Sequence, residues 1–199
     1  MTRVKLIGLT GQSGAGKSTA AELFEQSGMY VIDADALVAK IYESSPACLK
    51  AVASSFGQDI INPDGSLNRR LLAKRAFETK ENTALLGAIV HPFVIAETLR
   101  ILKTLSGTAV FDAPQLFESN MDAVCDIIVS VTANEDVRLS RILGRDNVTE
   151  EQARDRIRAQ FSEEFFRSHS DYTLENNGDI ADFRARTSTL IQKIKAEVM

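Results

Sequence analysis

The chain has 199 residues, 44% of them hydrophobic, and its 23 Lys and Arg against 27 Asp and Glu give a formal net charge of −4. This length and apolar share allow one substantial core, so we expect a single domain over residues 1–199. Without a broad field of positive charge, we expect no nucleic-acid partner. The apolar run near the N-terminus is too short for a signal sequence or a membrane span. We therefore predict a cytoplasmic protein without a membrane partner, as a monomer or weak homo-oligomer.

The first part of the chain alternates between strand-like and helix-like patterns. Residues 4–9 form a short apolar run, and the segment that follows a glycine-rich turn has apolar residues at helical spacing until Gly28. Residues 30–32 form a second apolar run, and a helix is expected from about Ala36. The order is therefore strand, helix, strand, helix.

The middle of the chain is predicted to be helical. Apolar residues recur at helical spacing over 49–56, and further helices are expected at about 69–77 and 92–105. Strands then return as compact apolar runs of the kind that a parallel sheet buries on both faces. The later strands are expected at 108–111, 126–131 and 172–174. One later helix is expected at 135–143, a second begins at the capping box formed by Thr149 and Gln152, and a third begins at about Phe183. We predict an α/β fold in which helices flank a five-stranded parallel sheet.

A glycine-rich segment lies between the first predicted strand and the first predicted helix. It reads Gly11-x-x-x-x-Gly16-Lys17-Ser18, the full phosphate-loop pattern in its expected context. Glycines let backbone N–H groups turn toward phosphate oxygens, the lysine adds a mobile positive charge, and the helix start presents its positive dipole end. We expect Ser18 to bind Mg²⁺. The predicted nucleotide contacts are Gly11, Gly14, Ala15, Gly16, Lys17, Ser18 and Thr19.

The phosphate loop by itself does not identify the reaction. A merely flexible loop is the alternative, but a chance match would seldom also lie between a strand and a helix. The pattern indicates nucleotide binding and leaves open a kinase, a switch GTPase or an ATP-driven motor. The acceptor side of the site has to decide among these classes.

Two aspartates follow the second predicted strand. At least one of Asp33 and Asp35 should lie at the carboxyl edge of the sheet, where open α/β folds bind their ligands. A carboxylate there can orient and deprotonate an attacking hydroxyl. Besides such a carboxylate, phosphoryl transfer needs mainly Mg²⁺ and nearby cations. Alternatively, either aspartate caps the next helix.

Three arginines recur at helical spacing late in the chain. Arg138, Arg141 and Arg145 are separated by three and then four residues, which places them on about one helix face. Neighbouring cations repel one another unless an anion lies between them, so we interpret them as a phosphate clamp on a mobile lid. The alternative is a solvated face whose arginines pair with acidic neighbours such as Asp146.

Two further residues are candidates for substrate or metal contacts. Asp112 ends the third predicted strand, like the acidic residue that supports Mg²⁺ in many P-loop enzymes, and its role stays open at this point. His91 precedes Pro92. It either contacts substrate or is a helix-start histidine satisfied by local hydrogen bonds.

Several blocks spread over almost the whole chain match one known family. They are residues 8–19, Val31 to Asp35, Leu67-Asn68-Arg69 with Leu72, His91-Pro92, Asp112 to Glu118, Arg145-Asp146 with Gln160, and Asp171 to Gly178. With these residues the chain resembles the dephospho-CoA kinases. The resemblance implies a P-loop core like that of nucleoside monophosphate kinases, a helical acceptor-binding region at about 36–105 and a lid at about 138–170.

The resemblance also implies an activity and roles for particular residues. The reaction is transfer of the ATP γ-phosphoryl group to the 3′-hydroxyl of dephospho-CoA, the last step of coenzyme A synthesis, with Mg²⁺. It selects Asp35 over Asp33 as the base and Arg145 as a lid residue, so the predicted catalytic groups are Asp35, Lys17 and Arg145. Asn177 and Gly178 are expected near adenine. The implied substrate contacts are Asp35, Arg69, His91, Asp112 and Leu116.

The sequence departs from the family pattern at three places. Gln12-Ser13 replaces the usual Gly-Ile in the loop, Gln115 replaces a leucine, and Asn68 replaces an aspartate. None of these changes removes a proposed catalytic group. Gln12 and Ser13 occupy variable positions of the phosphate-loop pattern, so we expect nucleotide binding to persist.

Two other functions fit parts of the sequence. A kinase for another small hydroxylated metabolite or nucleoside monophosphate would use the same core with different acceptor contacts. A nucleotide-dependent switch would need only the loop. We find no Asn-Lys-x-Asp guanine-recognition block after a strand, and the arginines at 138, 141 and 145 have no evident use in a switch.

Overall fold

The structure is a computed structural model, and it describes residues 4–198. These residues group into two compact units. The first comprises the residues up to Ile32 and those from Leu105 onward, and the second comprises Asp33–Thr104. In chain order the elements are β1 (Lys5–Gly11), α1 (Lys17–Gln26), β2 (Tyr30–Asp33), α2 (Ala34–Ser44), α3 (Pro46–Phe56), α4 (Arg69–Ala76), α5 (Lys80–Leu102), β3 (Thr108–Asp112), β4 (Ile127–Thr132), α6 (Glu135–Arg145), α7 (Glu150–Arg158), α8 (Glu163–Ser168), β5 (Tyr172–Glu175) and α9 (Ile180–Val198).

The strands form a five-stranded parallel sheet in the order β2-β3-β1-β4-β5, which confirms the predicted fold class. β1 lies in the centre, between β3 and β4, with Leu9 opposite both Asp112 and Val129. In parallel strands all carboxyl ends lie at the same edge of the sheet. The segment after β1 and the end of β3 therefore meet at that edge.

The core of the first unit explains why its strands read as unbroken apolar runs. β1 is buried from its second residue to its last, and α1 packs against α9. Phe24 of α1 and Phe183 of α9 are fully buried in the same cluster as strand residues such as Ile7 and Val129. Burial on both faces favours continuous rather than alternating hydrophobic residues.

The connection between α6 and α7 is closed by the predicted capping box. The Thr149 hydroxyl accepts a hydrogen bond from the Gln152 backbone N–H, and the Gln152 side chain accepts one from the Thr149 N–H. Leu139 and Ile142 of α6 then pack against apolar residues of α7. The sequence signal for this helix start is confirmed.

Replacing Thr149 with alanine should lower the free energy of unfolding by about 1 kcal/mol, because the first turn of α7 loses its side-chain cap. Chemical denaturation followed by circular dichroism measures this change. Thr149→Ser retains the hydroxyl and serves as the control. An equal loss of stability in the serine variant would show that the cap hydroxyl is not the cause.

The second unit consists mainly of helices, and α5 packs against α2, α3 and α4. The predicted start of α5 at Pro92 is wrong, because the helix begins at Lys80 and Pro92 lies inside it. Proline removes one helical N–H donor, but the Thr79 cap and packing against the neighbouring helices outweigh this local preference. By length and composition α5 also qualifies as a candidate membrane span.

Candidate active site

The loop between β1 and α1 has a backbone that requires glycine at two positions. Gly14 and Gly16 have φ angles of 79° and 105°, in the left-handed region. A Cβ at residue 14 would lie 2.7 Å from the Arg138 carbonyl oxygen, and one at residue 16 would lie 2.4 Å from Asn176 Nδ2. The loop is therefore held in one conformation, closely packed on α6 and on the segment after β5.

Replacing Gly16 with alanine should weaken ADP binding by about tenfold or more, because left-handed strain of about 1–3 kcal/mol and the clash with Asn176 both act on the loop. Isothermal titration calorimetry with ADP measures the change. Gly28→Ala is a matched control, because Gly28 has φ 88° but nothing lies within 4 Å of its added Cβ. Unchanged ADP affinity in the Gly16 variant would contradict the inferred loop rigidity.

A lysine and an aspartate meet at the carboxyl edge of the sheet. Lys17 is the first residue of α1, and its Nζ lies 2.5 Å from Oδ1 of Asp112 at the end of β3. Both side chains are largely buried, at 20% and 14% exposed. The contact places an ammonium group and a carboxylate directly beside the glycine-rich loop.

The N-terminus of α1 is open to an anionic ligand. Its N-cap residue is Gly16, which offers no side-chain cap, and the first turn contains no acidic residue. The first N–H groups of a helix lack partners within the helix and carry its positive dipole end. Ser18 lies in this turn and is exposed. This arrangement suits phosphate binding.

Side chains from α6 and from the residue directly after β5 hold the carbonyl groups of the loop. The Asn176 side chain donates to the Ala15 carbonyl at 2.7 Å, and Asn176 is almost fully buried. Arg141 lies 3.4 Å from the carbonyls of Gly14 and Ala15. Because each peptide is planar, fixing a carbonyl also fixes the direction of the N–H on the same peptide. The support residues thus orient the donors of the loop.

Gln160, just after α7, contacts the variable part of the loop. Its Oε1 accepts the Ser13 backbone N–H at 2.9 Å, and it accepts from Nη2 of Arg138 at 3.2 Å. Gln12, almost fully buried, lies 3.5 Å from the Phe161 carbonyl through its Nε2. Both loop residues that depart from the family pattern therefore contact the segment after α7.

Comparison with known proteins identifies the family. The sequence model of the dephospho-CoA kinases matches residues 5–182. A dephospho-CoA kinase of Corynebacterium efficiens is 39% identical over 196 residues, which cover 96% of this chain and 98% of the relative. One from Listeria innocua is 33% identical, with 95% and 96% covered. The chain belongs to the dephospho-CoA kinase family.

Solved structures agree with this membership. A crystal structure from Thermus thermophilus is 32% identical with a TM-score of 0.79, covering 96% of this chain and 98% of that one. A dephospho-CoA kinase from Campylobacter jejuni is 26% identical with a TM-score of 0.72, and 98% of each chain is covered. A shikimate kinase from Acinetobacter baumannii, 18% identical with a TM-score of 0.53, shares the fold.

The three arginines of α6 have different environments. Arg138 is buried and Arg141 contacts the loop, whereas the Arg145 side chain is 61% exposed. Arg145 donates two hydrogen bonds to Asp146, at 2.8 and 3.0 Å. The hydrogen bond from Arg145, and a second one from Arg156, lower the pKa of Asp146 to about 2. The alternative pairing with Asp146 is present, and the role of Arg145 as a phosphate clamp stays a prediction.

The aspartate that ends β2 and the one two residues later differ in their local bonding. The Asp33 side chain accepts the Ala36 backbone N–H at 3.0 Å and so caps α2. Asp35 is an exposed residue in the first turn of that helix. Among residues 4–198, no ion pair involves the Asp35 carboxylate. The capping alternative thus describes Asp33 and leaves Asp35 available for other contacts.

Besides Asp35, two predicted substrate residues lie in the second unit. Arg69 pairs with Glu43 at 3.0 Å and lines a cavity of about 330 Å³ together with Tyr42 and Leu67. His91 lies inside α5, so the interpretation of a helix-start histidine is wrong. Burial lowers the pKa of His91, which keeps its imidazole neutral at neutral pH.

The remaining predicted contacts divide between surface and core. Leu116 is fully buried, and a Cβ at Gly8 would lie 2.8 Å from it, so its side chain belongs to the core rather than to a substrate surface. Asn177 and Gly178 are exposed, and Asn177 Oδ1 accepts the Asn134 backbone N–H at 2.6 Å. Asn176 and Gln160 were part of the family blocks, but their contacts with the loop were not predicted.

Proposed function

We propose that this chain transfers the γ-phosphoryl group of ATP to the 3′-hydroxyl of dephospho-CoA, giving coenzyme A and ADP. One observation carries the proposal: in a member of the dephospho-CoA kinase family, the phosphate loop packs on α6 and on the segment after β5, with Lys17 and Asp112 beside it. The loop accounts for ATP use. The family accounts for the acceptor.

Each predicted residue has a distinct task in this reaction. The N–H groups of the loop and of the first turn of α1 bind the ATP phosphates, and Lys17 neutralises charge that develops on the transferred group. Asp35 orients the acceptor hydroxyl and takes its proton, and Arg145 adds positive charge when it leaves Asp146. These roles follow from the family pattern, and the placement of Lys17 and α1 supports the first of them.

The donor groups near the loop suit Mg²⁺. Ser18 offers an exposed hydroxyl, and Asp112 supplies a carboxylate at the same edge of the sheet. Among the described residues there is no group of three or more His, Cys, Asp or Glu arranged to hold a metal, and Mg²⁺ commonly takes most of its ligands from phosphates and water. When bound, the ion would offset the negative charge of the β- and γ-phosphates.

The decisive experiment uses the purified protein with ATP, Mg²⁺ and a panel of acceptors. We expect mass spectrometry to detect coenzyme A from dephospho-CoA, with little phosphorylation of AMP or shikimate. Faster transfer to another acceptor would favour the alternative kinase. Nucleotide binding without acceptor-dependent ADP formation would favour a switch.

We also propose that the protein works in the cytoplasm on small molecules, as a monomer or weak homo-oligomer, without nucleic-acid or membrane partners. The net charge of −4 supports the absence of a nucleic-acid partner. Size-exclusion chromatography with light scattering tests the oligomeric state. A stable assembly at micromolar concentration would contradict that part of the proposal.

A further inference from the structure

Arg138 is a buried cation directly behind the phosphate loop. Its residue is only 4% exposed. The guanidinium donates from Nε to the Ser13 carbonyl at 3.1 Å and from Nη2 to Gln160 Oε1 at 3.2 Å. Both acceptors are neutral. In the part of the chain that the structure describes, residues 4–198, no carboxylate lies within 4.0 Å of this side chain.

Burying a cation without an acidic group in direct contact is energetically unfavourable. Burial lowers the pKa of Arg138, and only the more distant Glu135 and Glu163 act in the opposite direction. Buried cations in proteins are normally paired with an acidic group in direct contact. Here the direct contacts are a backbone carbonyl of the loop and a side-chain amide.

The backbone of Arg138 also contacts the loop. A Cβ at Gly14 would lie 2.7 Å from the Arg138 carbonyl oxygen and 3.1 Å from its Cα. Gln160 links Ser13 to Arg138, because its Oε1 accepts hydrogen bonds from both the Ser13 backbone N–H and the Arg138 guanidinium. Arg138, Ser13 and Gln160 therefore form one hydrogen-bonded cluster, which we call the Arg138 cluster.

We propose that Arg138 is a positioning residue for phosphate binding, whose positive charge behind the loop, without a carboxylate of the described residues in direct contact, raises the affinity of the site for nucleotide phosphates. The guanidinium holds the Ser13 peptide in place and adds positive potential without touching the nucleotide. The inference rests on the proposed function of the loop as a nucleotide site. It assigns a task to a residue that was expected to contact the phosphoryl group on the same face as Arg145.

Gln160→Glu separates the effect of charge from the effect of geometry. A carboxylate at residue 160 can still accept both hydrogen bonds of the Arg138 cluster, but it cancels the positive charge of Arg138. If charge matters, this variant should bind ADP about tenfold more weakly, the effect of about one charged interaction, with an unchanged or higher melting temperature. Arg138→Met should weaken ADP binding to a similar extent.

The measurements are ADP titration calorimetry, the melting temperature, and the KM values for ATP and dephospho-CoA. We expect the ATP KM to rise in both variants and the dephospho-CoA KM to stay the same. Arg158→Met is the control, because the Arg158 side chain is 66% exposed on α7 and pairs with Asp155. It should leave ADP affinity unchanged.

Wild-type ADP affinity in the folded Gln160→Glu protein would overturn the proposal, and this variant decides alone if Arg138→Met does not fold. A lower melting temperature with unchanged ADP affinity in Arg138→Met would assign Arg138 a purely structural role. Lys17→Met in the same titrations separates a failure of the proposed function of the loop from a failure of the role proposed for Arg138. If it also bound ADP like the wild type, the proposed function of the loop would fail, whereas a loss confined to Lys17→Met would refute only the role of Arg138.

Discussion

Replacing Lys17 with methionine should lower kcat/KM for ATP by about 10²- to 10³-fold, the effect of removing one pre-organised electrostatic group from an active site. The Lys17 Nζ lies 2.5 Å from Asp112 and at the start of α1, beside the loop that is proposed to bind phosphates. Methionine has a similar length but no charge. The negative charge of Asp112 would then no longer be offset by this ammonium group and would repel the nucleotide.

Steady-state kinetics with ATP and dephospho-CoA measure the effect. Lys5→Met is a matched control, because Lys5 lies at the other end of β1 and pairs with Asp126 at 3.5 Å. This variant also removes one lysine charge, but from β1 at the opposite edge of the sheet from Lys17 at the start of α1. Comparable losses in both variants would show that net charge, rather than the position of Lys17, controls the activity.

Asp35→Asn should reduce kcat by about 10²- to 10⁴-fold, the usual contribution of general acid–base catalysis, while ATP affinity changes little. The substitution preserves size and removes the basic carboxylate. Asp35 is exposed in the first turn of α2. We therefore expect the melting temperature of the variant to match that of the wild type.

Asp33→Asn provides the control two residues away. Asp33 caps α2 through its Oδ1, and asparagine is an equally good N-cap residue, so α2 should remain intact. Turnover should stay near the wild-type value. A large loss in Asp33→Asn together with normal turnover in Asp35→Asn would reverse the assignment of the base.

The order of secondary structure was predictable because each element has a local signal. The strand at Thr108–Asp112 is a compact apolar run, and the cap of α7 depends on two residues three positions apart. The start of α5 was missed because Pro92 is a strong local signal against a continuous helix, whereas packing against three other helices is not visible in the sequence. The short helix Glu163–Ser168 was not predicted either.

The candidate site also has a part that local sequence patterns predict and a part that depends on tertiary packing. The phosphate loop is contiguous, so its glycines and Lys17 were recognised without any tertiary information. Helical spacing alone could not show that Arg138 turns toward Ser13 while Arg145 pairs with Asp146. Small differences in direction around a helix, and the elements packed against it, decide between a buried and an exposed arginine.

The sequence by itself determined the α/β fold class, the phosphate loop and the resemblance to a family, because these depend on short-range patterns and on separate matching blocks. Only the tertiary structure decided what holds the loop. Asn176 and Gln160 are far from residues 11–18 in the chain, yet they bond to Ala15 and Ser13. Asn176 reaches the loop because parallel strands bring their carboxyl ends to one edge of a sheet, whereas Gln160 reaches it from the segment after α7, and no local pattern encodes either contact.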